Sequence, residues 1–334
     1  MTTAPSVPWP RGAVTGIGSL PGTDPAEAAA IVFGELPEFA HLPELPGRGP
    51  EAALVGRGAA LLAELPVEIQ PSGWRLTARP GRDLRRARDH LQRDLDAVQE
   101  SGDYDGAFKI QVCGPLTLAA SLELPNGHRA VSDPGATREI AESLAEGVRA
   151  HVAEVAARLP RAGLVLQVDE PSVPAVLGAR VPTPSGLDTV RAVPASTVET
   201  LLGLVVAEAP GPCAVHCCAP DAPLGLFRAA GATALAVDVD SLDAAALDAL
   251  GEALDAGCSA WLGVVPTGPG LSRPDAKGLV ERARRVWNVL GFAVEDLARR
   301  AVLTPACGLA GFAPDEARRA LTSLRQAGQR LLET

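Results

Sequence analysis

Short apolar runs alternate along this chain with longer stretches in which Leu, Ala and Val recur every third or fourth position among Glu, Arg and Asp. The first pattern marks a strand buried on both faces, the second an amphipathic helix, and their alternation marks a parallel sheet flanked by helices. The run 13–21 closes on Gly18, Ser19 and Pro21 and leads into Asp24-Pro25-Ala26-Glu27, where Asp24 is placed to cap a helix, Pro25 to open it and Glu27 to complete the box. Residues 35–50 carry too many prolines for a helix or a central strand, and read as a long loop of the kind used for lids or binding segments. A helix follows over 51–65, a hairpin over 66–78 around Pro71-Ser72-Gly73, and a charged helix over 83–100. From there the alternation is regular. Strands are expected over 107–115, 164–171, 213–218, 231–238, 260–267 and 301–307, with helices over 116–122, 134–159, 197–207, 223–230, 242–254, 273–290, 294–299 and 314–332. Counting 13–21 and one strand within 66–78 makes eight. The expected fold is therefore α/β, a single-domain (β/α)8 TIM barrel over 12–334 behind a disordered, proline-rich tail at 1–11.

Composition agrees with one large barrel. The 334 residues are 47% apolar but only 3% aromatic, so Leu, Val and Ala must fill the core. A net charge of -10, from 40 acidic and 30 basic residues, disfavours nucleic acid as a partner. The most basic run, 79–93, interleaves Arg82, Arg85, Arg86 and Arg88 with Asp83 and Asp89, and Asp94 follows, which suits a solvated helix face. No apolar run reaches the about 20 residues that cross a bilayer, and the start lacks the features of a secretory signal. Six unevenly spaced cysteines do not form a disulfide framework. The expected setting is the reducing cytoplasm, away from membranes.

Candidate chemistry gathers at strand ends. In Cys213-Ala214-Val215-His216-Cys217-Cys218, side chains i and i+2 share a face, so His216 and Cys218 point one way and Cys217 the other. An imidazole and two thiolates suit zinc, and Cys307 supplies the second thiolate; Asp238, ending the next strand, is the candidate for a remaining place. Spacing alone leaves a second reading open, that these cysteines are small buried hydrophobes, since no Cys-x-x-Cys pair is present. Asp169 and Glu170 suit capture of a substrate ammonium, or a helix cap or ion pair. Cys113, Cys213, Cys217 and Cys258 read as structural, His41, His90, His128 and His151 as surface residues, and Trp74, Trp261 and Trp287 as core.

Taken together, Ile17-Gly18-Ser19, Asp169-Glu170-Pro171, His216-Cys217-Cys218 and Pro305-Ala306-Cys307-Gly308 at strand ends make the chain, from about Val14 to Leu332, resemble the carboxyl-terminal catalytic barrel of the cobalamin-independent methionine synthase family, in its short single-barrel form. The resemblance implies a zinc-dependent methyltransferase that methylates the thiol of homocysteine to give methionine. It implies Zn2+ on His216, Cys218, Cys307 and the position of Asp238, where the family carries glutamate; Asp240 is the fallback. It assigns homocysteine to Ile17, Gly18, Ser19, Asp169 and Glu170, with Asp169 in the catalytic role. Departures bear on the methyl donor, a methyl-folate or a methyl-corrinoid. The family's His-Gly-Glu stretch is not found between Leu95 and Lys109, and no histidine follows Gly263-Val264-Val265-Pro266-Thr267. Two alternatives stand beside this reading: alkyl transfer to or from another small thiol resembling coenzyme M, and a non-catalytic porphyrinoid- or corrinoid-binding barrel related to uroporphyrinogen decarboxylase.

Overall fold

Buried apolar runs become strands where expected from residue 107 onward. In the computed structural model, which describes residues 7–271 and 273–333, the strands are β1 (Phe39–His41), β2 (Val67–Gln70), β3 (Gly73–Leu76), β4 (Ala107–Cys113), β5 (Gly163–Asp169), β6 (Cys213–Cys217), β7 (Ala234–Asp238), β8 (Ser259–Val265) and β9 (Ala301–Pro305). Among the described residues, seven of them form one parallel sheet in the order β1-β4-β5-β6-β7-β8-β9. Every residue of β4, β6 and β9 is buried, as a strand covered on both faces requires.

The sheet curls around an interior. Phe39, Ala107, Val165, Ala214, Ala234, Trp261 and Val302, one from each of the seven strands, meet in a single buried cluster. Its two edges approach the same extended segment: Val14 bridges to Leu303 of β9, and Ser19 bridges to Glu44, just past β1. These are isolated bridges rather than a continuous ladder, so the barrel is not closed by eight regular strands. The helix after this segment starts as expected, with Asp24 accepting from the Ala26 and Glu27 amides and Pro25 as its first residue.

Three expectations are corrected. The strand after the first is not in 66–78 but at Phe39–His41, inside the proline-rich stretch read as loop. It is an edge strand only three residues long, paired in parallel with Ala107, Phe108 and Lys109, and Pro37 and Pro43 lie outside the pairing where their missing N–H groups do no harm. The 66–78 segment is an antiparallel hairpin, as expected, but neither of its strands joins the barrel sheet, and Arg75 fastens it to the buried Glu123 at 2.8 Å. Finally, of the expected tail 1–11, residues 1–6 lie outside the described residues, whereas Trp9 is buried, stacked on Phe39 at 5.3 Å and edge-on to Trp261 at 5.7 Å. An indole that can be buried against two rings outweighs the extended tendency of the flanking prolines.

The charged helix, Arg82–Glu100, presents Leu84, Leu91 and Leu95 inward, but Asp94 is buried too, paired with Arg48 at 2.8 Å and with Arg57. His41 and His151 are likewise buried rather than exposed. No helix among the described residues is long and apolar enough to cross a membrane.

Candidate active site

His216 lies next to last in β6, Cys218 follows that strand's end, and Cys307 stands two residues past β9. Their ligand atoms lie within 4.8 Å of one another, and the two sulfurs are 3.2 Å apart. His216 and Cys218 share a face, as the strand period requires, while Cys217 is buried on the other. Burial pushes the Cys213 and Cys217 thiols up to about 12. Cys307 goes the other way: the Cys218 thiol donates to it, and the His216 charge and the Gly308 amide further favour its thiolate.

A carboxylate fixes the imidazole. Asp169, in register beside His216 on the neighbouring strand, places Oδ1 2.8 Å from Nδ1. Burial opposes a charge on the ring, but the Asp169 hydrogen bond and charge hold its pKa above the usual histidine value. With Nδ1 committed to the carboxylate, Nε2, which lies 3.3 Å from the Ala306 carbonyl oxygen, is the nitrogen that would turn to a metal. Two thiols and an imidazole so arranged, the imidazole backed by a carboxylate, fit zinc.

The fourth expected ligand is not brought in. Asp238 is half-buried and its Oδ1 accepts from the Asp240 amide, while Asp240 pairs with Arg282 at 2.6 Å. The chain turns back on itself right after β7, where Asp238 Oδ1 takes the Asp240 amide, and neither acid belongs to the cluster.

The three ligands open on a cavity of about 240 Å³. Ser19, Glu44 and Asp169 give it a polar wall, and Ile17, Pro46, Leu54 and Pro171 an apolar one. A larger cavity of about 930 Å³, lined by Trp9, Pro212 and Arg300 among others, contains none of these groups. Ser19 sits hard against the Cys307-Gly308 turn: a Cβ on Gly308 would fall 1.9 Å from its Oγ. Gly18, at φ +155, is pressed onto Gln111, where a Cβ would meet the side-chain amide carbon at 2.9 Å. The Ile17-Gly18-Ser19 segment is therefore wedged between β4 and the Cys307 turn.

Glu170 takes the helix-cap reading and does not line the cavity. Its carboxylate accepts from the Leu116 amide at 2.9 Å, the Thr117 amide at 2.9 Å and the Thr117 hydroxyl at 2.6 Å, capping the helix Pro115–Ser121. It is fully buried, and burial, against these bonds, pushes its carboxyl up to about 7. Adjacent strand-end residues face opposite ways, so only Asp169 reaches the cavity. Glu170→Ala strands two buried amides and should lower the unfolding free energy by about 1–3 kcal/mol in denaturant titration, with zinc content unchanged. A normal melt with lost substrate affinity would restore Glu170 to the site.

Four residues of this region went unread in the sequence. Glu44 lines the cavity, buried, 3.2 Å from Arg57; burial raises its carboxyl pKa and Arg57 works against that. Lys109, Gln111 and Gln167 are buried beneath it. Polar residues at i and i+2 within the apolar runs of β4 and β5 are the signal that could have shown the last three. Glu44 offered none beyond its place in the proline-rich stretch.

A family model described as the catalytic domain of cobalamin-independent synthase matches residues 99–330. No curated protein matches the chain by sequence. Among solved structures, the chain is similar to a B12-independent methionine synthase from Shewanella sp. W3-18-1 in complex with selenomethionine, at 11% identity and TM-score 0.64, covering 97% of this chain and 98% of that one. It is also similar to a methyltransferase from Methanosarcina mazei, at 16% identity and TM-score 0.59, covering 96% of this chain and 93% of that one. Both likenesses carry the fold over nearly the whole chain. The family match spans well over half of the residues, the candidate metal ligands among them, and on it the chain belongs to the cobalamin-independent synthase catalytic-domain family.

Proposed function

We propose that the protein is a methyltransferase that methylates the thiol of homocysteine to give methionine, with zinc on His216, Cys218 and Cys307. The observation that carries this is the meeting of those three ligands with Ser19, Glu44 and Asp169 around one small cavity. Three protein ligands rather than four is the count of a site that leaves a place for substrate. Zinc bound there supplies the positive charge that removes the proton from a thiol near neutral pH and holds the sulfur for reaction.

The chain's own residues do the rest. Asp169 uses Oδ1 to fix His216, which leaves Oδ2 to face the cavity and accept from a substrate ammonium; Glu44 offers a second carboxylate to the same group. The Ser19 hydroxyl is the donor available to the substrate carboxylate. The apolar wall of Ile17, Leu54 and Pro171 excludes water from the reacting sulfur. An acceptor like coenzyme M, which has no ammonium, would leave Asp169 Oδ2 without a cation in a buried place, whereas Glu44 keeps Arg57, so the amino-acid thiol is favoured. The selenomethionine in the similar Shewanella enzyme supports the same choice. The cavity is small and no Lys or Arg lines it, so a methyl-folate or methyl-corrinoid donor approaches from its mouth. X-ray absorption at the zinc edge tests the reading: adding homocysteine should raise the sulfur count around zinc from two to three, and an unchanged shell would sink it.

A further inference from the structure

Two buried donors from neighbouring strands meet on one carbonyl. Lys109 Nζ, from β4, donates to the Ile17 oxygen at 2.8 Å, and Gln167 Nε2, from β5, donates to the same oxygen at 2.9 Å. Both side chains are fully buried. A carbonyl has two lone pairs, and here both are engaged by side chains. Elsewhere in the sheet the strand ladder fixes such a carbonyl; the segment around Ile17 is held by the isolated bridges of Val14 and Ser19 and by the Leu309 amide on the Ser19 carbonyl, and the Ile17 carbonyl is the one given to the two side chains.

The arrangement is costly to maintain. Burial pushes the Lys109 amine down to about 7, and an apolar side chain of that length would fill the space without the penalty. Nor does the pair end at Ile17. Gln167 Nε2 also donates to Asp169 Oδ1 at 2.7 Å, the oxygen that holds His216, so one amide spans the segment that carries Ser19 and the partner of a metal ligand. On the other side Lys109 Nζ donates to Gln111 Oε1 at 3.0 Å, and it is Gln111 on which Gly18 rests.

We propose that Lys109 and Gln167 are positioning residues which clamp the Ile17 carbonyl and so hold Ser19 at a fixed place relative to His216, tuning the site for the amino-acid head of its thiol substrate. This rests on the reading that the substrate is an amino-acid thiol. Neither residue touches the reacting sulfur; both act through the backbone of Ile17 to Ser19.

Calorimetric titration of the zinc-loaded protein with homocysteine and with 1-propanethiol, which has the sulfur but no head, separates head recognition from sulfur binding. Wild type should prefer homocysteine. In Lys109→Met and in Gln167→Leu, homocysteine affinity should fall about tenfold or more, the scale of a hydrogen bond to a charged group, while 1-propanethiol binding stays within about twofold. Thermal melts and zinc content of each variant accompany the titrations. Both variants keeping the wild-type preference for homocysteine would overturn the clamp and leave the proposed function standing. Equal loss for both thiols, with a lowered melt, would reduce the two residues to packing and overturn it as well. Wild type that does not distinguish the two thiols would overturn the amino-acid reading, and the clamp with it.

Discussion

Cys307→Ser should strip the protein of zinc. Loss of a residue that merely orients a ligand costs about 10–100-fold in metal affinity, so loss of a ligand itself should exceed about 100-fold. After dialysis against a competing chelator, elemental analysis should find wild type loaded and the variant nearly metal-free, with methyl transfer to thiol falling in step. The strand geometry supplies the control. Cys217 is one bond from Cys218 in sequence but faces away from the cluster, so Cys217→Ser should keep its zinc. Asp238→Asn should keep it too, because the Asp238 carboxylate serves the Asp240 amide. A Cys307→Ser protein that retains one zinc, or an Asp238→Asn protein that loses it, would dismantle the ligand set of His216, Cys218 and Cys307.

Asp169→Asn should have two effects where its neighbour Glu44 has one. Asp169 holds His216 with Oδ1 and faces the cavity, so removing its charge weakens zinc by about 10–100-fold. It also takes a charge-assisted bond from a substrate ammonium, about 1.5–3 kcal/mol, or more than tenfold in KM for homocysteine. Glu44→Gln shares only the second loss, since Glu44 contacts Arg57 and not His216. The pair is read by measuring zinc content and KM side by side. Raised KM in both variants, with reduced zinc affinity in Asp169→Asn alone, is expected; wild-type KM in either would remove that carboxylate from the substrate's surroundings.

How far the sequence disclosed this arrangement can be followed residue by residue. Strands β4 to β9 were legible because each is an apolar run bounded by Gly, Pro or a polar cluster, and because parallel strands buried on both faces need no alternation. β1 was not. Its three residues between Pro37 and Pro43 have no local signature, and their strand character comes from pairing with Ala107 to Lys109, which lie far along the chain. The hairpin misled in the opposite sense, since Val67, Ile69 and Trp74 read like a stave but pack outside the sheet. At the site, the i and i+2 rule correctly joined His216 to Cys218, and resemblance joined them to Cys307. The same parity separates Glu170 from Asp169, and the helix beginning at Pro115 shows where the odd carboxylate goes. Asp238 lies outside the cluster for a different reason: its carboxylate direction depends on the turn after β7, which no period encodes.

Trp9 carries one more implication, for what light can report about this molecule. All four tryptophans, Trp9, Trp74, Trp261 and Trp287, are buried, and none lines the cavity with His216 and the thiols. Indole emission should therefore be blue and shielded from aqueous quenchers while being blind to thiol and metal chemistry. Two of the four watch the opposite end of the barrel, where Trp9 lies across Phe39 and Trp261. A red shift that leaves the zinc count untouched would mean that packing around the indoles, the floor among them, has come loose while the mouth with the thiols still stands.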